Sequence, residues 1–588
     1  MSPRTGYTSS PDEDPWVLLG GVILGGLLAS ACLAWASALV SIGLSGGGWR
    51  WYDADGAGTF LMELLSGKEP EQAWGSATSS NGRLGPPWLF WVVLALLSGA
   101  VLGGGYLVWR VAGRRTKEVR DARWATARDE RLMVVSRNPA KRPHRLVAGR
   151  SRTTGRFLAG EDCVSAVVFG PNGSGKTVGL IIPNVLEWSG SVVMTTAKPQ
   201  DLGPVLARRA VLGPVWVVAP AGAPGVVTAA WSPVDYCTDA DAADRMAEWL
   251  VDSSGMTGDP KSRPWNAQAR KYLKGLLLAA RLSERGVAGF VEWAYEGELA
   301  RDQVEQVLAE NGYVEVLREY RSTWRIHEEG KGSVMFTAFG LADTYNRPTV
   351  LESARRSDFA AADLFGARPA TLLLVTPQSE VDRFTPYFTA LISTVVHEAE
   401  QQAARAGGPV SPRLLLALDE AGNVFRYPRL PHLLTTGRGN GVQLLLAYHN
   451  IAQLEHLFGG RDVARTVLSN AKMRLLLPGV GDIETLRYFS ELLGHSRTSL
   501  GSSQTGPDGR RSRSQVEQRE SLAPVNLLQQ MPDGEAIVLY QNLPPARMRL
   551  RRWFADKDLR KLAAVPTAPS APVSAATPSD APEEVNAE

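Results

Sequence analysis

Eight consecutive residues, Gly170-Pro171-Asn172-Gly173-Ser174-Gly175-Lys176-Thr177, follow the pattern G-x-x-x-x-G-K-T. Their chemistry is that of a cradle for nucleotide phosphates. Gly170, Gly173 and Gly175 let the backbone curl so that successive N–H groups point inward at an anion. Lys176 supplies a cation for the β- and γ-phosphates, and the Thr177 hydroxyl is a ligand for Mg²⁺. The apolar run Ser165-Ala-Val-Val-Phe169 precedes the loop, and Val178-Gly-Leu-Ile-Ile-Pro183 after it suits a helix whose N-terminus adds positive charge. Motif and context together predict strand, phosphate loop and helix.

An acidic pair supplies the second half of the chemistry. Arg413-Leu-Leu-Leu-Ala-Leu418 runs into Asp419-Glu420, as a buried parallel strand does when it carries carboxylates to the edge that holds the phosphate loop. Asp419 suits Mg²⁺ or its water shell, and Glu420 suits a general base that polarises the attacking water. The two motifs in one α/β body predict a nucleoside-triphosphate hydrolase.

Other candidates stay open between two readings. His449-Asn450, at the end of the strand-like run Val442-Gln-Leu-Leu-Leu-Ala-Tyr448, is a γ-phosphate sensor or a helix cap. Lys198 and Asp201, just past Ser191-Val-Val-Met-Thr-Thr196, face the nucleotide or close a turn. Arg438, in Thr436-Gly-Arg-Gly-Asn-Gly441, is an arginine finger for a neighbouring subunit or a surface loop arginine.

The elements that must position these groups follow from periodicity. Further strands are expected at 215–219, 370–376, 474–478 and 536–540, and a helix at 386–404. Apolar residues near i, i+3 and i+4 over 240–253, 265–284, 288–295, 302–310, 314–324 and 334–345 predict an inserted all-helical domain, 240–345, dividing the nucleotide-binding domain into 161–239 and 346–564. Lys261, Arg263, Arg270, Lys271, Lys274 and Arg281 in that insert contact a polyanion or form a solvated helix face. Ser-, Gly- and Arg-rich residues 501–515, with Arg510, Arg511 and Arg513, read as a mobile basic loop, and the Pro/Ala/Ser segment 565–588 as a disordered tail.

The first hundred residues have another texture. Segments 16–42 and 86–109 carry no charge, and each exceeds the ~20 apolar residues that cross a bilayer. Trp16, Trp35, Trp49, Trp51, Trp88, Trp91 and Trp109 read as interfacial anchors. Acidic residues, not basic ones, precede the first span, which argues against a cleaved signal peptide. Arg110, Arg114, Arg115, Lys117 and Arg120 follow the second span, so the positive-inside rule makes 1–15 cytoplasmic, 43–85 extracytoplasmic, and the basic juxtamembrane segment 110–160 and all that follows cytoplasmic. Gly21-x-x-x-Gly25 and Gly99-x-x-x-Gly103 fit helix–helix contacts.

Composition narrows the rest. The 588 residues carry a net charge of +3, so no global basic field marks a nucleic-acid binder. The three cysteines, Cys32, Cys163 and Cys237, lack paired spacing, and the seven histidines include no H-E-x-x-H pair. Disulfide frameworks and zinc sites are not expected.

The order of parts, with Lys198-Pro-Gln-Asp-Leu202, Trp265-Asn-Ala-Gln-Ala269, Leu418-Asp-Glu-Ala-Gly422, Gly437-Arg-Gly-Asn-Gly441 and Ile451-Ala-Gln-Leu454 beside the phosphate loop, resembles the type IV coupling proteins, the TraG/TraD-like family, in the form associated with actinobacteria. The resemblance implies a RecA-like P-loop NTPase core with an inserted all-α domain, preceded by a two-helix transmembrane hairpin. It implies a hexameric inner-membrane ATPase using ATP and Mg²⁺ to deliver single-stranded DNA with its relaxase to a secretion channel. Carried over, Lys176, Thr177, Asp419 and Glu420 bind phosphate, hold Mg²⁺ and serve hydrolysis, and Arg438 falls at the trans-acting arginine. His449 stands where relatives usually have Gln. An FtsK-like duplex translocase and a nucleotide-controlled docking receptor are the competing readings.

Overall fold

The computed structural model describes residues 15–46, 48–49, 52–78, 84–112, 121–254, 263–458, 460–505 and 511–564. The acidic start, the basic cluster 113–120, Lys261, Arg510 and the tail 565–588 lie outside the described residues. The chain divides into two compact units, 1–120 and 121–588.

In the first unit, helices Pro15–Leu44 and Pro87–Ala112 contain stretches, Gly25–Leu44 and Pro87–Leu107, long and apolar enough to cross a membrane. The segment between them is helical, Ala57–Leu65 and Pro70–Thr78. It packs an aromatic cluster in which the Trp35 and Trp74 rings lie 4.6 Å apart and Phe60 meets both Trp74 and Phe90 edge-on. Trp35 is therefore a core residue, not an anchor at a membrane surface, because this small cap covers it. Trp49, Trp88 and Trp91 are exposed. A Cβ at Gly25, Gly99 or Gly103 would meet nothing within 4 Å, so among the described residues these three glycines are not packed against another helix of the same chain.

The second unit is built on a twelve-stranded sheet. Its strands, in chain order, are β1 (Val134–Val135), β2 (Val147–Ser151), β3 (Phe157–Ala159), β4 (Ala166–Phe169), β5 (Ser191–Thr196), β6 (Val215–Val218), β7 (Thr371–Val375), β8 (Leu414–Leu418), β9 (Val442–Tyr448) and β10 (Met473–Leu476). A separate ribbon, β11 (His495–Thr505) with β12 (Arg511–Ser521), precedes the last two sheet strands, β13 (Glu535–Tyr540) and β14 (Ala546–Arg549). The sheet order is β1-β3-β2-β14-β13-β10-β4-β9-β8-β5-β7-β6. From β10 to β6 every pairing is parallel; from β10 outward through β13 every pairing is antiparallel.

The parallel strands are buried on both faces, which is why their sequences are unbroken apolar runs instead of alternating ones. Leu414, Leu416 and Leu418 of β8 enter the core on one face, and Leu415 and Ala417 the core on the other. The first of these cores is continuous with the helices of the insert. Those helices are Ala240–Ser253, Arg263–Leu282, Gly286–Glu296, Arg301–Glu310, Val314–Thr323 and Glu328–Asp343, with Pro348–Ser353 following.

Two local expectations are corrected. Residues 501–505 and 511–515 are strand, not loop, paired from His495–Ser521 to Thr505–Arg511; backbone hydrogen bonds hold the ribbon, and no apolar pattern announces it. The helix expected from 386 begins earlier, as Val381–Ala406, with Pro386 inside it. The carbonyl that Pro386 leaves without a donor belongs to Asp382, which is exposed and open to water. In the insert, Arg270 pairs with Asp244 and lies 3.0 Å from Glu248, and Lys274 pairs with Glu319 at 2.9 Å. These two cations are neutralised by neighbouring helices, as a solvated, ion-paired face requires.

Candidate nucleotide site

The phosphate loop follows β4 directly. Gly173 and Gly175 have φ of +83° and +89°, a left-handed backbone that a side chain would strain. The next turn, Thr177–Ile181, is a wide π-turn that runs into the helix Ile182–Glu187. Pro183, with no N–H to close the tighter turn, lies where the widening ends. The Val178 carbonyl accepts a hydrogen bond from Trp553 N–H at 3.0 Å, so the chain after β14 packs on this turn.

Lys176 is 5% exposed, and its Nζ donates to the carbonyls of Gly170 (2.6 Å) and Pro171 (3.2 Å) of its own loop. Burial pulls its pKa down, against the attraction of Asp419 and Glu420. Thr177 Oγ1 donates to Asp419 Oδ2. The two oxygens expected to serve one Mg²⁺ thus already meet, and hard oxygen donors of this kind suit that ion, which needs only one or two protein groups beside phosphate and water. Thr195 Oγ1 on the adjacent β5 fixes the Asp419 carbonyl at 2.8 Å.

Glu420 adopts φ +52°, ψ +43°, a left-handed conformation rare for a residue with a side chain. Its N–H donates to Asp419 Oδ1 at 3.2 Å, and its Oε2 is buried without a hydrogen-bond partner. Burial, and next the Asp419 charge, raise its pKa. A buried carboxylate oxygen with no partner, beside a loop whose Ser174 Oγ is also unpartnered, fits a site built to receive a polar ligand.

His449 follows β9, which lies between β4 and β8. Its Nδ1 is 3.4 Å from Lys176 Nζ. Burial, then the Lys176 charge, hold its pKa below the usual 6.5. Asn450 caps the helix Ile451–Leu457, its Oδ1 accepting from Gln453 N–H at 2.8 Å. Lys198 and Asp201 close a turn, Asp201 N–H donating to the Lys198 carbonyl at 3.0 Å. Lys198 also acts electrostatically on Lys176 and Glu420, so that turn faces the site.

Arg438 is not in this group. It lies in the last turn of the helix Leu430–Asn440, not on a loop, and pairs with Glu161 at 3.4 Å. It precedes β9, whereas His449 follows that strand, so about 20 Å of strand at ~3.3 Å per residue separates it from the phosphate loop.

Two side chains without an assigned role in the sequence complete the edge. Gln453 Oε1 accepts from His449 N–H at 2.9 Å, and its Nε2 donates to Asn423 Oδ1 at 3.0 Å. The only signal for them was position: Asn423 stands one helical turn beyond Glu420, and Gln453 lies inside the Ala452-Gln-Leu454 segment.

The phosphate loop, Walker-type acids and intervening strand define a P-loop NTPase of RecA-like fold. Solved structures agree on that fold: the bacterial conjugative coupling protein TrwBdeltaN70 superposes with a TM-score of 0.55 at 18% identity, covering 74% of this chain and 94% of that one. TrwB in complex with ADP and Mg²⁺ gives a TM-score of 0.51 at 17% identity, covering 74% and 94%. Residues 115–575 match the family described as type IV secretory system conjugative DNA transfer, and the chain belongs to it, among the type IV coupling proteins.

Relatives include a conjugal transfer protein TraG of Escherichia coli, 25% identical over 505 residues, 76% of this chain and 78% of that protein. VirD4 of Agrobacterium fabrum is 23% identical over 438 residues, 70% of this chain. The chain spans 62% of VirD4 and 57% of a second Escherichia coli TraG.

Proposed function

We propose that the chain is a membrane-anchored, Mg²⁺-dependent ATPase that delivers single-stranded DNA with its relaxase, or protein substrates, to a type IV secretion channel, working as a homo-hexamer in the inner or plasma membrane with its bulk in the cytoplasm. One observation carries this reading: Lys176, Thr177, Asp419, Glu420 and His449 converge on one edge of a parallel sheet. Bound Mg²⁺–ATP supplies the phosphoanhydride and the Lewis acid. Thr177 and Asp419 hold the ion, Lys176 exchanges its loop carbonyls for phosphate oxygens, and Glu420 takes the proton of the attacking water. Arg438, remote from its own phosphate loop, serves a neighbour's site in the ring. Helices Gly25–Leu44 and Pro87–Leu107 support the anchor.

ATP turnover by the full chain in detergent, measured alone, with single-stranded DNA and with duplex DNA, tests the reading. Turnover stimulated by single strands, and abolished by Lys176→Ala without loss of membrane insertion, is expected. Stimulation by duplex only would favour a duplex translocase; no turnover would favour a docking receptor.

A further inference from the structure

We propose that Gln453 is a positioning residue that locks the His449 sensor position to the Glu420 base through one side-chain amide, an inference that rests on the ATPase reading. β8 and β9 are sheet neighbours, and site residues follow each directly: Asp419-Glu420 after β8, His449 after β9. Gln453 belongs to neither strand. It stands in the first turn of Ile451–Leu457, its own N–H held by the Asn450 cap at 2.8 Å.

From there the amide spans the gap. Oε1 accepts from His449 N–H at 2.9 Å and Nε2 donates to Asn423 Oδ1 at 3.0 Å. Asn423 is itself fixed at both backbone ends: its N–H donates to the Glu420 carbonyl at 2.8 Å, and its carbonyl accepts from Thr385 Oγ1 at 2.6 Å. With Oδ1 turned to Gln453, the Asn423 NH₂ is left to hydrogen-bond the Glu420 carboxylate. The approach is so close that a Cβ at Gly422 would sit 2.8 Å from Gln453 Cδ and Nε2. The glycine after Asp-Glu-Ala therefore makes room for this amide.

The chemistry is selective. An acceptor is needed toward His449 and a donor toward Asn423, and among side chains of this length only a primary amide offers both. Glu at 453 keeps the acceptor and loses the donor. Asn423 must then flip to donate to it, which turns Oδ1 toward Glu420 and takes away the amide N–H that faces the carboxylate. Leu at 453 loses both bonds and strands the His449 N–H.

The experiment is steady-state ATP turnover by the full chain in detergent, with nucleotide affinity measured separately using a fluorescent ATP analogue, for wild type, Gln453→Glu and Gln453→Leu. Gln453→Leu should lower kcat on the order of 10- to 100-fold, as misplacement of a base does, with analogue affinity within about two-fold because the loop N–H groups are untouched. Gln453→Glu, near-isosteric and expected to fold, keeps the bond to His449 and loses the donor toward Asn423, so it should lower kcat by less than Gln453→Leu does, on the order of several-fold, with analogue affinity again within about two-fold. Wild-type kcat in both variants would overturn the inference, as would equal loss of kcat, affinity and melting temperature. Absence of turnover in the wild type would instead overturn the ATPase reading beneath it.

Discussion

Lys176 Nζ and His449 Nδ1 lie 3.4 Å apart, and an ammonium so close disfavours a second positive charge on the imidazole. Burial and Lys176 hold the His449 pKa below its ordinary 6.5, and the unfolded chain therefore binds that proton more readily. Stability is lost as pH falls from about 6.5 toward the folded-state value, because the unfolded state takes up the proton first. His449→Gln should remove this part of the pH dependence and retain ATP turnover. Melting temperature and turnover measured between pH 5 and 8 check it; loss of turnover at pH 7.5 would assign His449 a role that an amide cannot fill.

Glu420 is the base whose removal should separate binding from hydrolysis. Its carboxyl is pushed up by burial and by Asp419, so the folded state resists the charged form. Glu420→Gln removes a buried charge beside Asp419 and should melt no lower than wild type. It should bind nucleotide and hydrolyse it on the order of 10²- to 10⁴-fold more slowly, the usual worth of a general base. Retained radiolabelled ATP without product, at wild-type affinity, is the expected readout.

How much of this site could be read from residue order depends on range. The loop from Gly170 to Thr177 and the acids Asp419 and Glu420 are local patterns, each carried by one strand and the turn after it, and both were legible. β11 and β12 were not, because their stability comes from pairing and not from an apolar alternation, and β14 was not because its alternation, buried Ala546 and Met548 against exposed Arg547 and Arg549, lasts only four residues. Trp35 looked like an interfacial anchor because nothing local reveals that Trp74, far along the chain, covers it. Gln453 shows in the sequence only as part of a motif, since its partners His449 and Asn423 are brought to it by two strands and a helix.

Arg438 tests whether the site is shared between subunits. Its pairing with Glu161 is half exposed, and such pairs are worth about 0–1 kcal/mol, so Arg438→Ala should leave the melting temperature nearly unchanged. As a trans-acting finger its loss should cost on the order of 10³-fold in turnover. Mixing Arg438→Ala with Lys176→Ala chains should restore activity, because an intact Lys176 then meets an intact Arg438 at some interfaces. Two inactive proteins that stay inactive after co-assembly would remove the shared-site assignment.

The helix that begins at the phosphate loop ends at Glu187, and that carboxylate carries a different kind of constraint. Arg142 Nη2 meets Glu187 Oε2 at 2.6 Å, while Arg551 reaches Oε2 and Oε1 at 2.8 and 2.9 Å. The side chains of all three are only 3–4% exposed. Arg551 also pairs with Asp556 at 3.1 Å, so the segment after β14, which donates to Val178, is pinned to the loop helix at its far end as well. Glu187→Gln would leave two guanidinium groups buried with one acid between them, and removing one partner of a buried ion pair costs about 3–5 kcal/mol. The loss should be nearly independent of salt, since buried pairs are little screened. A melting temperature lowered equally in low and high salt is the expected result. A small loss that vanishes in high salt would show that water reaches the cluster, and that the C-terminal segment is not what holds the loop helix in place.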